Sequence, residues 1–256
     1  MICAADCKKV PLLEFQNLDY PVAERDFFQQ LNFSITVGGL IGLMGSNGAG
    51  KTTLLKLAAG LLQPKRGRVL LGNKDISSYS GRKRAQYLAY LPQLLDMNAP
   101  FRVAELVSMG SYFSQGQQHF SITEAIEIVG LSGKADAFLS DLSGGERRRA
   151  YIAMTLLQGG KLLLLDEPLA NLDLKYQLEL LRLLKQICRD KQISVIISFH
   201  DIALASRMDR LMMLKNGKLV ADGKPEKLMN NDIIREVFGL ADEDIPSLFS
   251  GFIKVC

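Results

Sequence analysis

The residues best equipped for chemistry are Gly45-Ser46-Asn47-Gly48-Ala49-Gly50-Lys51-Thr52-Thr53. Their spacing fits the Walker A pattern, in which glycines let successive backbone N–H groups wrap a polyphosphate. A helix that starts at the end of the loop adds a partial positive charge there. Lys51 would reach the β- and γ-phosphates, and the Thr52 hydroxyl would ligate magnesium. The same residues could instead form a plain glycine-rich turn before an amphipathic helix. Context argues for phosphate: Leu40 to Met44 reads as a strand running into the loop, and TTLLKLAAGLL reads as a helix leaving it. Asp166 and Glu167 supply a second element. They follow the apolar run Leu162 to Leu165, so they stand at the carboxyl edge of a sheet, where α/β folds bind ligands. Alone they would be a solvated turn. Beside the phosphate loop, Asp166 is expected to hold the magnesium shell through water, and Glu167 to polarise an attacking water.

These groups need a scaffold, and the sequence suggests one. Leu162 to Leu165 and Ser194 to Phe199 are continuous apolar runs, as expected of strands buried on both faces of a parallel sheet. Between them Leu174, Leu178, Leu181, Leu184 and Ile187 recur at helical spacing, which predicts a crossover helix over 174–189. Further strands are expected at Leu12 to Tyr20, Phe33 to Val37, Arg68 to Leu71 and Lys74 to Ile76, with turns at Gly38-Gly39 and Gly72-Asn73. Asn216-Gly217, between Leu211 to Leu214 and Leu219 to Ala221, is the strongest hairpin signal in the chain. The stretch from Gln93 to Ser143 lacks buried-strand runs and reads as helices and loops.

Composition narrows the class. The 256 residues are 48% hydrophobic and 23% charged, which excludes a disordered or fibrous chain. The net charge of +4 is too small to imply nucleic acid, and a protein at a membrane surface would share it. No apolar run approaches the ~20 residues needed to span a bilayer, and MICAADCKKV does not read as an export signal. Cys3, Cys7, Cys188 and Cys256 form no disulfide pattern and lack partners at zinc spacing, so they are expected to be reduced cytosolic thiols. His119, in SQGQQHF, reads as a surface residue.

Leu142-Ser143-Gly144-Gly145-Glu146 opens the basic stretch RRRAYIAMTLLQ shortly before LLLLDEP. This resembles the signature motif of the ATP-binding cassette (ABC) ATPases. Gln93 in AYLPQ is similar to that family's Q-loop, Leu172-Asp173 in LANLD to its D-loop, and His200 in ISFHD to its switch histidine. Tyr20 lies where the family places an aromatic that stacks on adenine, and Phe27 is a competing stacker. The resemblance runs to about Leu240. It implies an α/β fold: a P-loop NTPase core with an antiparallel β subdomain and an inserted helical signature subdomain. One ABC ATPase domain would fill 1–256, with the core at 1–92 and 150–240, the insertion at 93–149 and a divergent tail at 241–256. ATP and Mg2+ are the implied cofactors. Gln93 would contact the magnesium, and His200 would bond the γ-phosphate and position the water. Ser143, Gly144 and Gly145 would offer a hydroxyl and a helix N-terminus to a second anion. In the family this closes each signature, with Asp173 nearby, over the ATP of the partner in a head-to-tail homodimer.

The phrases FRVAELVSMG, DLKYQLELLRLL and REVFGL most resemble subunits serving iron-siderophore, haem and cobalamin import. Such a subunit would sit on the cytoplasmic face of the plasma membrane. Its implied partners are permease subunits and an external substrate-binding protein, with no nucleic acid. Zinc, manganese or lipid transport is the competing assignment, since those subunits share every catalytic motif. Met97, Pro100 and Phe101, around an irregular turn after Gln93, are expected to be exposed to a permease helix. Three departures stand out: Arg148 where the family has Gln, Leu169 where it has Thr, and Ser111-Tyr112-Phe113 in place of Arg-x-Pro. None is expected to touch a phosphate or magnesium ligand.

Overall fold

The computed structural model describes residues 10–22, 25–95, 100–113, 120–170 and 172–240. Cys3, Cys7, Met97, His119, Cys256 and the tail after Leu240 lie outside the described residues. The chain opens with β1 (Leu13–Val22), β2 (Arg25–Ile35) and β3 (Gly39–Met44), then α1 (Lys51–Ala58), β4 (Arg66–Leu71), β5 (Lys74–Asp75), α2 (Gly81–Arg84) and β6 (Leu88–Leu91). A helical stretch follows with α3 (Val103–Met109), α4 (Ile122–Ile128) and α5 (Gly144–Leu157). The chain then alternates through β7 (Leu162–Leu165), α6 (Leu174–Lys191) and β8 (Ser194–Phe199) before β9 (Arg210–Lys215), β10 (Lys218–Gly223), α7 (Pro225–Leu228) and α8 (Asn231–Phe238).

Two sheets result. One is antiparallel in the order β2-β1-β4-β5, and the other has the order β10-β9-β3-β8-β7-β6, parallel except at its β10 edge. All four leucines of β7 are buried, and they alternate between two cores. Leu163 and Leu165 join the cluster built with α3 to α6, whereas Leu162 and Leu164 join the one built with β1, β2, β4 and α1. That is the period-two geometry of a strand covered on both faces. The amphipathic α6 supplies part of the cover through Leu180, Leu181, Leu184 and Ile187.

One expected strand differs in extent, and one strand was not expected. The strand expected at Phe33 to Val37 begins at Arg25 and ends at Ile35. Its first half escapes the pattern because irregular pairing with β1 breaks the alternation. Asn17 and Gln30 take left-handed φ values of 47° and 48°, and the Gln30 N–H donates to Asp19 Oδ1. β6, in the segment LAYL, was not expected, because four residues at the sheet edge carry little periodicity. The Asn216-Gly217 hairpin forms as expected, with both residues at positive φ.

In the helical layer α3, α4 and α5 pack together, and an Arg102–Phe138 bridge closes its entry. Ser121 and Glu124 form a capping box on α4, and Ser143 and Glu146 form one on α5. Each satisfies two backbone donors that a helix start would otherwise leave open. Among the described residues no helix is long and apolar enough to cross a membrane.

Candidate functional site

The parallel register brings three strand ends to one edge. Met44 of β3 stands level with Phe199 of β8, and Leu165 of β7 stands level with Ile197. Gly45, His200 and Asp166 therefore leave the sheet side by side, with β8 between the phosphate-loop strand and the acidic strand. The loop itself is tightly built. A Cβ on Gly45 would sit 2.4 Å from the Leu214 carbonyl oxygen, and Gly50, at φ 104°, would place one 2.6 Å from the Phe27 ring. Both positions require glycine. The Gly217 N–H donates to the Ala49 carbonyl at 3.1 Å, so the β9–β10 hairpin braces the loop. Asn47 and Gly48 are exposed at its tip, while Ser46, Thr52 and Thr53 are half-buried.

Lys51 is buried, and its ammonium donates to the carbonyls of Gly45 at 2.8 Å and Ser46 at 3.1 Å. Burial pulls its pKa below the usual lysine value, opposed by the negative charges of Glu167 and Asp166. The lysine therefore shares one electrostatic neighbourhood with the acidic pair.

Asp166 is almost completely buried and is held by two hydroxyls. Ser198 donates to Oδ1 at 2.6 Å and Tyr90 approaches Oδ2 at 3.4 Å. Burial first, then Asp166, pushes the Tyr90 hydroxyl well above its ordinary range, so Tyr90 stays protonated and can only donate to the carboxylate. Glu167 takes a left-handed backbone, at φ 48°. Such a conformation costs about 1 kcal/mol for a residue with a Cβ and needs support. Support comes from both sides. The Glu167 N–H donates to Ser198 Oγ at 2.8 Å, and the Glu167 carbonyl accepts from the Arg148 guanidinium. The Glu167 carboxylate accepts from the Gln93 amide at 2.8 Å. Gln93, Glu167 and His200 line one cleft of 330 Å³, with Ser198 at its wall.

The remaining sequence-predicted residues stand apart from this cluster. Ser143 and Gly144 are exposed and Gly145 is half-buried. The Ser143 hydroxyl caps α5, and Glu146, held down in pKa chiefly by Lys134, closes the cap. Asp173 is exposed at the start of α6 and makes no side-chain cap. Tyr20 is half-buried, pairs with Phe28 across the β1–β2 ladder and packs on the second core. The rings nearest Gly50 of the phosphate loop are those of Phe27, which is half-buried, and the buried Phe28, not that of Tyr20.

A fold with a glycine-lysine loop on one strand and an acidic pair two strands away still describes several nucleotide hydrolases. Residues 28–170 match the ABC transporter family profile, a span that runs from the phosphate loop through the signature to the acidic pair. The chain belongs to the ABC transporter family. This ABC protein binds ATP, and its activity is ATP hydrolysis. It is 36% identical to the petrobactin import ATP-binding protein FpuC of Bacillus anthracis, over 90% of this chain and 87% of that protein. It is 38% identical to the hemin import ATP-binding protein HmuV of Rhodopseudomonas palustris strain BisB18, over 90% of this chain and 88% of that one. Among solved structures, cbiO1 from Clostridium perfringens, part of the ABC transporter complex cbiONQ, superposes with a TM-score of 0.75 at 27% identity. The match covers 93% of this chain and 98% of that one.

Two expectations about this ABC ATPase need correction. Arg148 was expected to touch no magnesium ligand, yet its buried guanidinium donates at 3.3 Å to the carbonyl of Gln93, the residue expected to contact magnesium, as well as to Glu167. The signal was present: Arg148 precedes Tyr151, Ile152 and Thr155 at helical spacing, and all three are buried. Phe101 was expected at the surface but is half-buried against the first core. Pro100 is exposed, and Leu94, Met109 and Tyr112 are large exposed apolar side chains of that region. Ser198 and Tyr90 were not expected at all. Ser198 stands as a polar residue inside an apolar strand, which was its only mark in the sequence.

Proposed function

We propose that this chain is the ATP-hydrolysing subunit of a membrane importer for iron-siderophore, haem or cobalamin type substrates. The reading is carried by one observation: the phosphate loop, the Asp166-Glu167 pair and His200 emerge together from adjacent parallel strands. The kinship to petrobactin and hemin import proteins supports the substrate class. The domain plan proposed is a core of 1–92 and 150–240, an insertion of 93–149 and a tail of 241–256.

The residues of the acidic edge fit a magnesium ion. The donors are all oxygen: the Thr52 hydroxyl, the Gln93 amide oxygen and the Asp166 carboxylate, which is the hard set that Mg2+ prefers. The Asp166 carboxylate is already fixed by Ser198 and Tyr90, as second-layer partners fix a metal ligand. When bound, the ion would neutralise charge on the β- and γ-phosphates. Gly45 to Thr53 would wrap the phosphates through backbone N–H groups, with Lys51 exchanging its two carbonyl partners for phosphate oxygens. Glu167 would take the proton from the attacking water, and His200 would hold the water and the γ-phosphate in line. Tyr20 or Phe27 would stack on adenine, and the contact of Phe27 with Gly50 favours Phe27.

In the working assembly two copies would face head to tail. Ser143, Gly144, Gly145 and Asp173 would then complete the partner's site, consistent with their exposure on this chain. The permease would dock at the cytoplasmic face of the membrane over the exposed Leu94, Met109 and Tyr112, with a binding protein outside.

The test is Glu167→Gln. The amide keeps the shape and can still accept from Gln93, so ATP should bind with unchanged affinity. Loss of the basic carboxylate should slow hydrolysis by about 10²- to 10⁴-fold, the usual contribution of a general base. Turnover at the wild-type rate would remove Glu167 from the mechanism.

A further inference from the structure

Three consecutive arginines follow the signature, and they are not equivalent. Arg147 and Arg149 are half-buried, whereas Arg148 is 6% exposed. Removing a guanidinium from water is costly and persists only where its donors are used. Burial is the main influence on Arg148 and lowers its pKa, with Glu167 and Asp166 opposing. The group nevertheless remains charged, because an arginine starts far above neutrality. What it touches is specific. One terminal nitrogen donates to the carbonyl of Glu167 and the other donates to the carbonyl of Gln93.

Glu167 is thus pinned at both ends of its own residue, by Ser198 at the N–H and by Arg148 at the carbonyl, in a backbone region that glutamate ordinarily avoids. The third contact, from the Gln93 amide to the Glu167 carboxylate, ties the side chain to the same segment that Arg148 holds by its backbone. Arg148 sits on α5, whose first turn is the signature. One rigid side chain therefore joins three pieces that lie far apart in sequence: the signature helix, the Gln93 loop and the base.

We propose that Arg148 is a positioning residue for hydrolysis, clamping the Glu167 and Gln93 carbonyls so that the signature helix sets the aim of the base. The inference rests on Glu167 acting as that base. A planar fork with several fixed donors suits two divergent carbonyls. Glutamine, with one shorter uncharged amide, cannot span both. Lysine keeps the charge but has no fork.

The experiment uses the purified full-length chain in single-turnover ATP hydrolysis, with nucleotide binding measured separately, on wild type, Arg148→Gln, Arg148→Lys and Glu167→Gln. A misaimed base lowers the rate of the chemical step and spares ATP affinity. The expected result is a fall of about tenfold or more in the hydrolysis rate for Arg148→Gln, with ATP affinity within about twofold of wild type. Arg148→Lys should recover only part of that loss. In the Glu167→Gln background the arginine change should have little further effect, because the group it aims is gone. If both arginine variants hydrolyse ATP at the wild-type rate while Glu167→Gln is inactive, Arg148 serves packing alone and the inference is overturned. If Glu167→Gln itself hydrolyses normally, the underlying assignment of the base has failed instead. Should Arg148→Gln not fold, Arg148→Lys decides by the same comparison.

Discussion

Replacing Ser198 with alanine removes a single oxygen that serves two groups at once. Ser198 is fully buried, accepts from the Glu167 N–H at 2.8 Å and donates to Asp166 Oδ1 at 2.6 Å. Each partner then loses its bond in a place with little access to water. A buried donor left open costs about 1–3 kcal/mol, and a hydrogen bond to a charged group contributes about 1.5–3 kcal/mol. Tyr90 still approaches the other Asp166 oxygen, so the lower part of each range applies, and we expect a loss of about 2.5–4 kcal/mol. For a chain of this size about 1 kcal/mol moves Tm by about 2–4 °C, so Tm should fall by about 5–15 °C. Turnover should fall as well, by about tenfold, because Glu167 loses the anchor that supports its left-handed backbone. The control is Ser194→Ala, at the other end of the same strand. Ser194 is equally buried, but its hydroxyl accepts from the Gly38 N–H and donates to the Thr36 carbonyl, remote from the acidic pair. It should lose stability and keep its rate per folded molecule. Differential scanning calorimetry and steady-state ATPase assays read both quantities. A Tm shift below about 2 °C for Ser198→Ala, or equal rate losses in the two variants, would refute the reasoning.

Gly45→Ala pushes a methyl group to 2.4 Å from the Leu214 carbonyl oxygen, a backbone atom that cannot swing aside. We expect ATP affinity to weaken by at least about tenfold in equilibrium binding, since the loop must open to relieve the contact, and unchanged affinity would show the loop to be softer than drawn. The composite site is tested by mixing Lys51→Ala with Gly144→Asp subunits, because only the mixed dimer contains one intact site beside one doubly damaged site. Partial recovery of ATP-driven dimerisation in the mixture, measured by analytical ultracentrifugation, supports the head-to-tail pairing, whereas full activity of an isolated monomer would exclude it.

What could be read from the chain and what could not divide along a physical line. The phosphate loop is contiguous, so its glycines, lysine and hydroxyls carry their meaning in their spacing. The four buried leucines of β7 and the helical repeat of α6 are equally local, and both elements form close to where the pattern puts them. Arg148 and Ser198 act across the fold. Ser198 meets Asp166 only because β7 and β8 pair in parallel with Leu165 opposite Ile197, which sets Asp166 and Ser198 side by side one residue later. No spacing within either segment encodes that register. Arg148 meets Glu167 only once α5 has packed over the sheet edge. The N-terminal half of β2 was hidden for a different reason, since its irregular register exchanges the two-residue alternation for side chain–backbone bonds such as that from Gln30 to Asp19.

The cluster at the sheet edge also explains why a glutamine suits position 93. Its amide nitrogen faces the Glu167 carboxylate at 2.8 Å, which turns the amide oxygen into the end with which it can meet a cation. An amide is donor and acceptor in one group, so the same side chain can hold the proposed base and still serve the proposed metal. Glutamate at this position would set a second negative charge against Glu167, while lysine would neutralise the base but repel the ion. Lys51 shows the same economy. Its ammonium rests on the Gly45 and Ser46 carbonyls, and arriving phosphate oxygens would replace those acceptors without the lysine ever passing through an unpaired state. Binding ATP is then an exchange of hydrogen bonds in a site whose buried charges are already paired. Its net strength is set by how much better phosphate fits those donors than the carbonyls do.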